Sequence, residues 1–208
     1  MKILSGISIA ALLMAGAATP SFATSLAPGA TVIPTNVATF NFNSLATTGP
    51  VAYTMGDDSG TIQEWVGTWT GNPVAGDDIV FVYQVSITSG DGGRVTGGSY
   101  AGFNTDVFTN QDGAGTTAPV DAARSAGTGV VVGFDFNPNL LPGATSFLLI
   151  VDTNANTWVA GPMSVIDDNT FTTPGFAPAA TPEPSTLSLL GTGLLAAGAG
   201  LRRKMRRA

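Results

Sequence analysis

The stretch Asp78-Ile79-Val80-Phe81-Val82-Tyr83-Gln84-Val85-Ser86-Ile87 decides the fold. Its odd positions, Ile79, Phe81, Tyr83, Val85 and Ile87, make one unbroken apolar face, while its even positions grade from Val80 and Val82 to Gln84 and Ser86. Alternation with period two is the mark of a strand, and apolar residues on both sides mark one that lies inside a sheet. A central strand needs neighbours. Val130, Val132, Phe134 and Phe136 share a face opposite Val131, Gly133 and Asp135, residues 147–151 form an apolar run of strand length, and residues 62–69 set Trp65 and Trp69 opposite Glu64. Weaker candidates cover residues 31–33, 38–42, 51–55, 94–103, 106–109 and 163–166.

Between these runs lie turn formers: Gly56-Asp57-Asp58, Gly71-Asn72-Pro73, Gly90-Asp91-Gly92-Gly93, Asn110-Gln111-Asp112-Gly113, Asn137-Pro138-Asn139 and Asp167-Asp168-Asn169. No stretch of the body carries helical periodicity with caps, and no unit repeats, which argues against a solenoid. Many short strands parted by Gly-rich turns predict an all-β fold, an antiparallel β-sandwich of the jelly-roll or immunoglobulin-like kind.

Composition narrows the chemistry. The 208 residues contain no Cys and no His. Disulfides, thiolate nucleophiles, Fe–S clusters, His-based triads and nearly all zinc sites are excluded. Charged residues make up only 11% of the chain, under half the roughly 25% of ordinary soluble domains, and they fall in blocks.

The N-terminus reads Met1, Lys2, an apolar stretch over residues 3–18, then Ser21 and Ala23 at the small-residue positions of a cleavage site. This predicts a signal peptide over residues 1–23, cut between Ala23 and Thr24. At the other end a Pro- and Ala-rich linker is expected over residues 174–181. Pro182, Glu183 and Pro184 follow it, then an uncharged stretch over 187–201, then Arg202, Arg203, Lys204, Arg206 and Arg207. As a helix the stretch reaches about 22 Å, a short transmembrane span, and the cations after it act as a cytoplasmic stop-transfer signal.

This three-part tail resembles the PEP-CTERM sorting signal of Gram-negative bacteria, with residues 182–184 as the motif, 187–201 as the helix and 202–207 as the basic tail. The resemblance implies export by the general secretion machinery and a transient single-span hold in the inner membrane. It also implies processing by an exosortase near Pro182, Glu183 and Pro184, a final place at the cell surface or outside the cell, and a link to exopolysaccharide. The body, residues 24–173, looks loosely like other exported domains that precede this tail.

That body has two cations, Arg94 and Arg124, against thirteen carboxylates, so binding to nucleic acid is disfavoured. Both arginines are expected to pair with local acids. Asp152, Asn154 and Asn156 space oxygen ligands as calcium loops do, but Thr157 and Met163 stand where a helical-hand loop needs Gly and Glu, so a plain polar turn competes. The pairs Asp57/Asp58, Asp77/Asp78 and Asp167/Asp168 are further calcium candidates or simple turn formers. Beyond calcium, no cofactor is expected.

Trp65, Trp69 and Trp158, with Tyr83 and Tyr100, are candidates for a sugar-stacking platform, or else they mark a core face. Glu64, the one Glu of the body, is a candidate glycosidase carboxylate, or else a solvent-facing strand residue. The expectation is an exported, non-catalytic structural or interaction protein of the cell envelope or extracellular matrix. A carbohydrate-binding module is the alternative, and a glycosidase the weaker one.

Overall fold

The computed structural model describes residues 24–74, 76, 79–111 and 115–179. Thirteen strands carry the fold, and the described residues contain no helix. They are β1 (Thr31–Val32), β2 (Thr35–Asn36), β3 (Asn41–Thr47), β4 (Val51–Met55), β5 (Asp58–Thr70), β6 (Ile79–Ser89), β7 (Gly92–Gly97), β8 (Thr105–Asn110), β9 (Asp121–Arg124), β10 (Val132–Leu140), β11 (Leu148–Thr153), β12 (Thr157–Ile166) and β13 (Thr170–Ala179). One sheet has the order β1-β9-β10-β7-β12-β13, the other β2-β8-β11-β6-β5-β3, with β4 added on β5. Every pairing is antiparallel except the short parallel β2–β8 pair.

The stretch that opens the sequence argument is β6, flanked by β5 and β11. Its odd residues Ile79, Phe81, Tyr83, Val85 and Ile87 enter the main core with Val95, Val132, Phe134, Met163 and Val165 of the other sheet. Its even residues Val80 and Val82 lie in a second cluster with Trp69, Phe108 and Ile150 on the opposite face, covered by Val37, Phe40 and Phe42. That second layer explains why the even positions begin apolar, and why Gln84 and Ser86, less covered, do not.

The expected linker over residues 174–181 needs correcting, because β13 runs to Ala179 and pairs with β12 in ten steps from Thr157↔Ala179 to Ile166↔Thr170. Pro174 and Pro178 disguise it as a linker. Prolines fit an edge strand when their missing N–H faces away from the neighbour, and Phe176, of the same parity, sends its N–H away from β12 to the Glu64 side chain.

Candidate functional site

Glu64 is fully buried rather than solvent-facing. It shares the inward face of β5 with Ile62 and Val66, and its Oε2 accepts the Phe176 N–H at 2.8 Å. Gly175 passes so close that a Cβ there would fall 2.1 Å from Oε2. Burial pushes the carboxyl up to about 8 from its ordinary 4.5, against the pull of the Phe176 N–H and the Tyr83 hydroxyl. Tyr83 and Tyr100, joined hydroxyl to hydroxyl, are buried with it, and burial drives both phenols well above their ordinary range. A carboxyl enclosed in this way meets no substrate. As a candidate glycosidase carboxylate Glu64 thus has no access to a substrate, and as a strand residue it faces the core and not solvent.

The aromatic platform is not assembled. Trp69 is buried, edge-on to Phe40 and Phe108 at ring distances of 4.9 and 5.2 Å. Trp65 packs on the same outer cluster, whereas Trp158 packs against the main core from β12 of the other sheet. Tyr83 and Tyr100 are inside. Alternation along β5 puts both its tryptophans on one face, but that face is roofed by Val37 and Phe40 of the segment between β2 and β3, with Phe42 of the neighbouring strand beside them, and no local pattern announces this return over the sheet.

The calcium candidates Asp152, Asn154 and Asn156 are divided between a strand and a turn. Asp152 is a fully buried residue of β11, opposite Asp106 and Val80, while Asn154 and Asn156 are exposed in the turn that follows. Asn154 is engaged as acceptor for the Asn104 N–H at 2.8 Å. Burial also raises the Asp106 carboxyl.

The described residues instead bring together Asp58, Asp91 and Asp167, with one carboxylate oxygen of each within 4.8 Å of the others. They come from the start of β5, the β6–β7 turn and the β12–β13 turn, far apart in sequence. Asp58 Oδ1 accepts the Asp91 N–H at 3.1 Å, and the Asn139 amide donates to Asp167 at 2.9 Å and to Asp91 at 3.3 Å. Hydrogen bonding with Asp91, then burial, raises the Asp167 carboxyl. Tyr53 is buried nearby and its phenol is pushed up to about 12 by burial, then by the charges of Asp58 and Asp167. Asp58 and Asp167 each belong to a pair flagged in the sequence as turn formers or ligands; their meeting with Asp91 depends on tertiary structure.

The two cations behave differently. Arg94 pairs with Asp135 at 3.2 Å, as expected. Arg124 is buried and, contrary to expectation, spends all five N–H donors on neutral acceptors: the carbonyls of Gly129, Leu26, Tyr100 and Phe103 and the Thr105 hydroxyl, at 2.7 to 3.2 Å. It ties the first residues of the body, including Leu26, to the loops before β8 and β10. Thr24, the expected first mature residue, is held there too, its carbonyl accepting the Val107 N–H.

Ala23, the motif residues Pro182, Glu183 and Pro184, the expected span and Arg202, Arg203, Lys204, Arg206 and Arg207 lie outside the described residues. Among the described residues no helix is long and apolar enough to cross a membrane.

The model of the PEP-CTERM protein-sorting motif matches residues 180–204, so the chain carries the sorting signal of PEP-CTERM proteins. The motif marks an exported protein with an exosortase as its processing partner. No curated protein and no solved structure matches the chain.

Proposed function

We propose that the chain is a non-catalytic structural or interaction protein of the cell envelope or extracellular matrix, linked to exopolysaccharide. A signal peptide over residues 1–23 exports it, and the tail holds it in the inner membrane until an exosortase acts. Its two sheets, sharing one core, are best taken as a sandwich of the jelly-roll or immunoglobulin-like kind. The observation that carries this role is the join itself: β13 ends at Ala179 and the matched motif begins at residue 180. The sorting address is thus attached to the edge strand of a body whose one Glu is sealed in its core. The role needs no cofactor; the Asp58, Asp91 and Asp167 cluster is where the body's carboxylates converge.

Replacing Pro182, Glu183 and Pro184 by Ala in a host with its exosortase should leave full-length protein in the inner membrane. Processing at the wild-type rate would refute the sorting part. Co-sedimentation of the processed body with the host's exopolysaccharide tests the rest, and recovery only in the polymer-free fraction would refute the link.

A further inference from the structure

The β12–β13 hairpin has two chemically different ends. Ten residue pairs at about 3.3 Å per residue give it a length of about 30 Å. At its turn stand Asp167 and Asp168, with Asp58 and Asp91 gathered on Asp167 and Asp57 beside them, five carboxylates in three turns. At its open end Thr157 pairs with Ala179, where the tail departs.

Four segments are knitted together at that open end. Residues 154–156 lead into Thr157, and Asn154 accepts the Asn104 N–H. The Tyr100 N–H reaches the Val130 carbonyl, the Gly29 N–H the Arg124 carbonyl, and the Leu26 N–H the Thr105 carbonyl. Segments 24–30, 98–104, 125–131 and 154–156 hold no charged residue. The neighbouring Arg124 is buried with its donors used, and Val130 and the nearby Val159 are 40% and 52% exposed. In sequence, Asp77 and Asp78 fall between β5 and β6 of the other sheet, outside these four segments.

Only residues 180–186 separate Ala179 from the apolar stretch at 187–201. Fully extended they span at most about 25 Å, less than the hairpin. Anionic lipid repels carboxylates over a Debye length of about 8 Å. The turn end, with five carboxylates, is therefore the more strongly repelled by the bilayer, while the four knitted segments of the open end bring no charge of their own and offer valines to the interface.

We propose that, before processing, the body rests on the phospholipid bilayer that holds its tail, through the uncharged end formed by segments 24–30, 98–104, 125–131 and 154–156. The Asp cluster then points away from the lipid. This rests on the reading that residues 187–201 insert in the membrane. It gives the exosortase a substrate whose edge strand β13 meets the membrane in a fixed direction.

The chain has no native Cys, so single reporters are clean. Full chains carrying Val130→Cys or Thr170→Cys, each labelled with an environment-sensitive dye, are reconstituted into vesicles of phosphatidylethanolamine and phosphatidylglycerol that contain a quencher-bearing lipid. The dye at 130 should be quenched several-fold more than the dye at 170, next to the acidic turn. Equal quenching, or stronger quenching at 170, overturns the orientation while leaving the anchor intact. Failure of the chain to float with the vesicles overturns the anchored tail, and the orientation with it. Adding Ala101→Asp and Thr128→Asp, both at exposed positions, should reduce quenching at 130; unchanged quenching in a variant that melts like its parent would refute the charge argument.

Discussion

Glu64 on β5 and Phe176 on β13 meet through a single hydrogen bond of 2.8 Å from the Phe176 N–H to Oε2. The strand that leads to the sorting tail is thereby fixed to the opposite sheet by a carboxyl with no exposed surface. Pro174 and Pro178 have no N–H, so among the positions of that parity between them Phe176 has the one outward donor, and Glu64 takes it. The edge of β13 is blunted there against pairing with another chain.

Glu64→Gln should raise stability at neutral pH. With the carboxyl near 8 in the fold and near 4.5 when unfolded, the folded state holds the extra proton, so stability falls as pH rises from about 4.5 to about 8 and is level beyond. At pH 7 that loss is on the order of 3 kcal/mol. The amide keeps an acceptor for Phe176 and has no proton to lose in this range. Urea titrations from pH 4 to 9 should show a slope for the wild type that the variant lacks; parallel curves would sink the idea.

Gly175→Ala should destabilise the body by roughly 1–3 kcal/mol through overpacking. The added Cβ would stand 2.1 Å from Glu64 Oε2 and 3.2 Å from Met163 Cγ. Shortening Glu64 to Ala in the same chain should recover part of this cost, which makes the two changes non-additive. Strict additivity in denaturant titrations would show that the clash lies elsewhere.

Arg124→Met should destabilise by about 3 kcal/mol, because it removes the five hydrogen bonds of a buried guanidinium and leaves the Leu26 and Tyr100 carbonyls with only the Thr105 hydroxyl and the Phe103 N–H. The carbonyls of Leu26, Tyr100, Phe103 and Gly129 all lose a donor. Amide exchange should quicken first at Leu26 and Val107, whose N–H groups hold the N-terminal segment and β8 together. Uniform quickening across both sheets would instead mean that Arg124 has no local role.

Asp91→Asn should stabilise modestly, within about 1 kcal/mol since these groups reach solvent. It removes one of three crowded carboxylates and the one whose hydrogen bond raises Asp167. A raised carboxyl contributes most below its unfolded range and loses that contribution as pH rises, so the gain should appear at neutral pH and fade in acid. A gain equally large at low pH would point to a cause other than charge.

The alternation of β6, the shared face of Trp65 and Trp69, and the inward Val132, Phe134 and Phe136 of β10 were legible because burial on one side of a sheet writes itself at period two. What local patterns could not carry was which face was covered. Trp69 sits under a roof that includes Val37 and Phe40, and Glu64 takes an inward slot in β5 because β13 brings a backbone N–H to it from a distant part of the chain. The sorting motif was legible because its parts follow one another in sequence and need no fold to meet.

The strand hidden by its prolines gives the last test. A chain covering residues 24–179 should fold and melt as one unit, whereas a chain ending at Thr173 should fail to. The shorter chain loses Pro174, Gly175, Phe176, Ala177, Pro178 and Ala179, and with them the partners of six residues of β12. It also uncovers Glu64 and strips it of its only backbone donor among the described residues. An uncovered Glu64 would titrate near its ordinary range, but the core below it, Ile62, Val66 and Met163, would stand open to water. Residues 174–179 therefore belong to the body. If the chain ending at Thr173 gave the same melting temperature and sharp near-ultraviolet spectrum as the longer one, β13 would be dispensable and the linker reading restored.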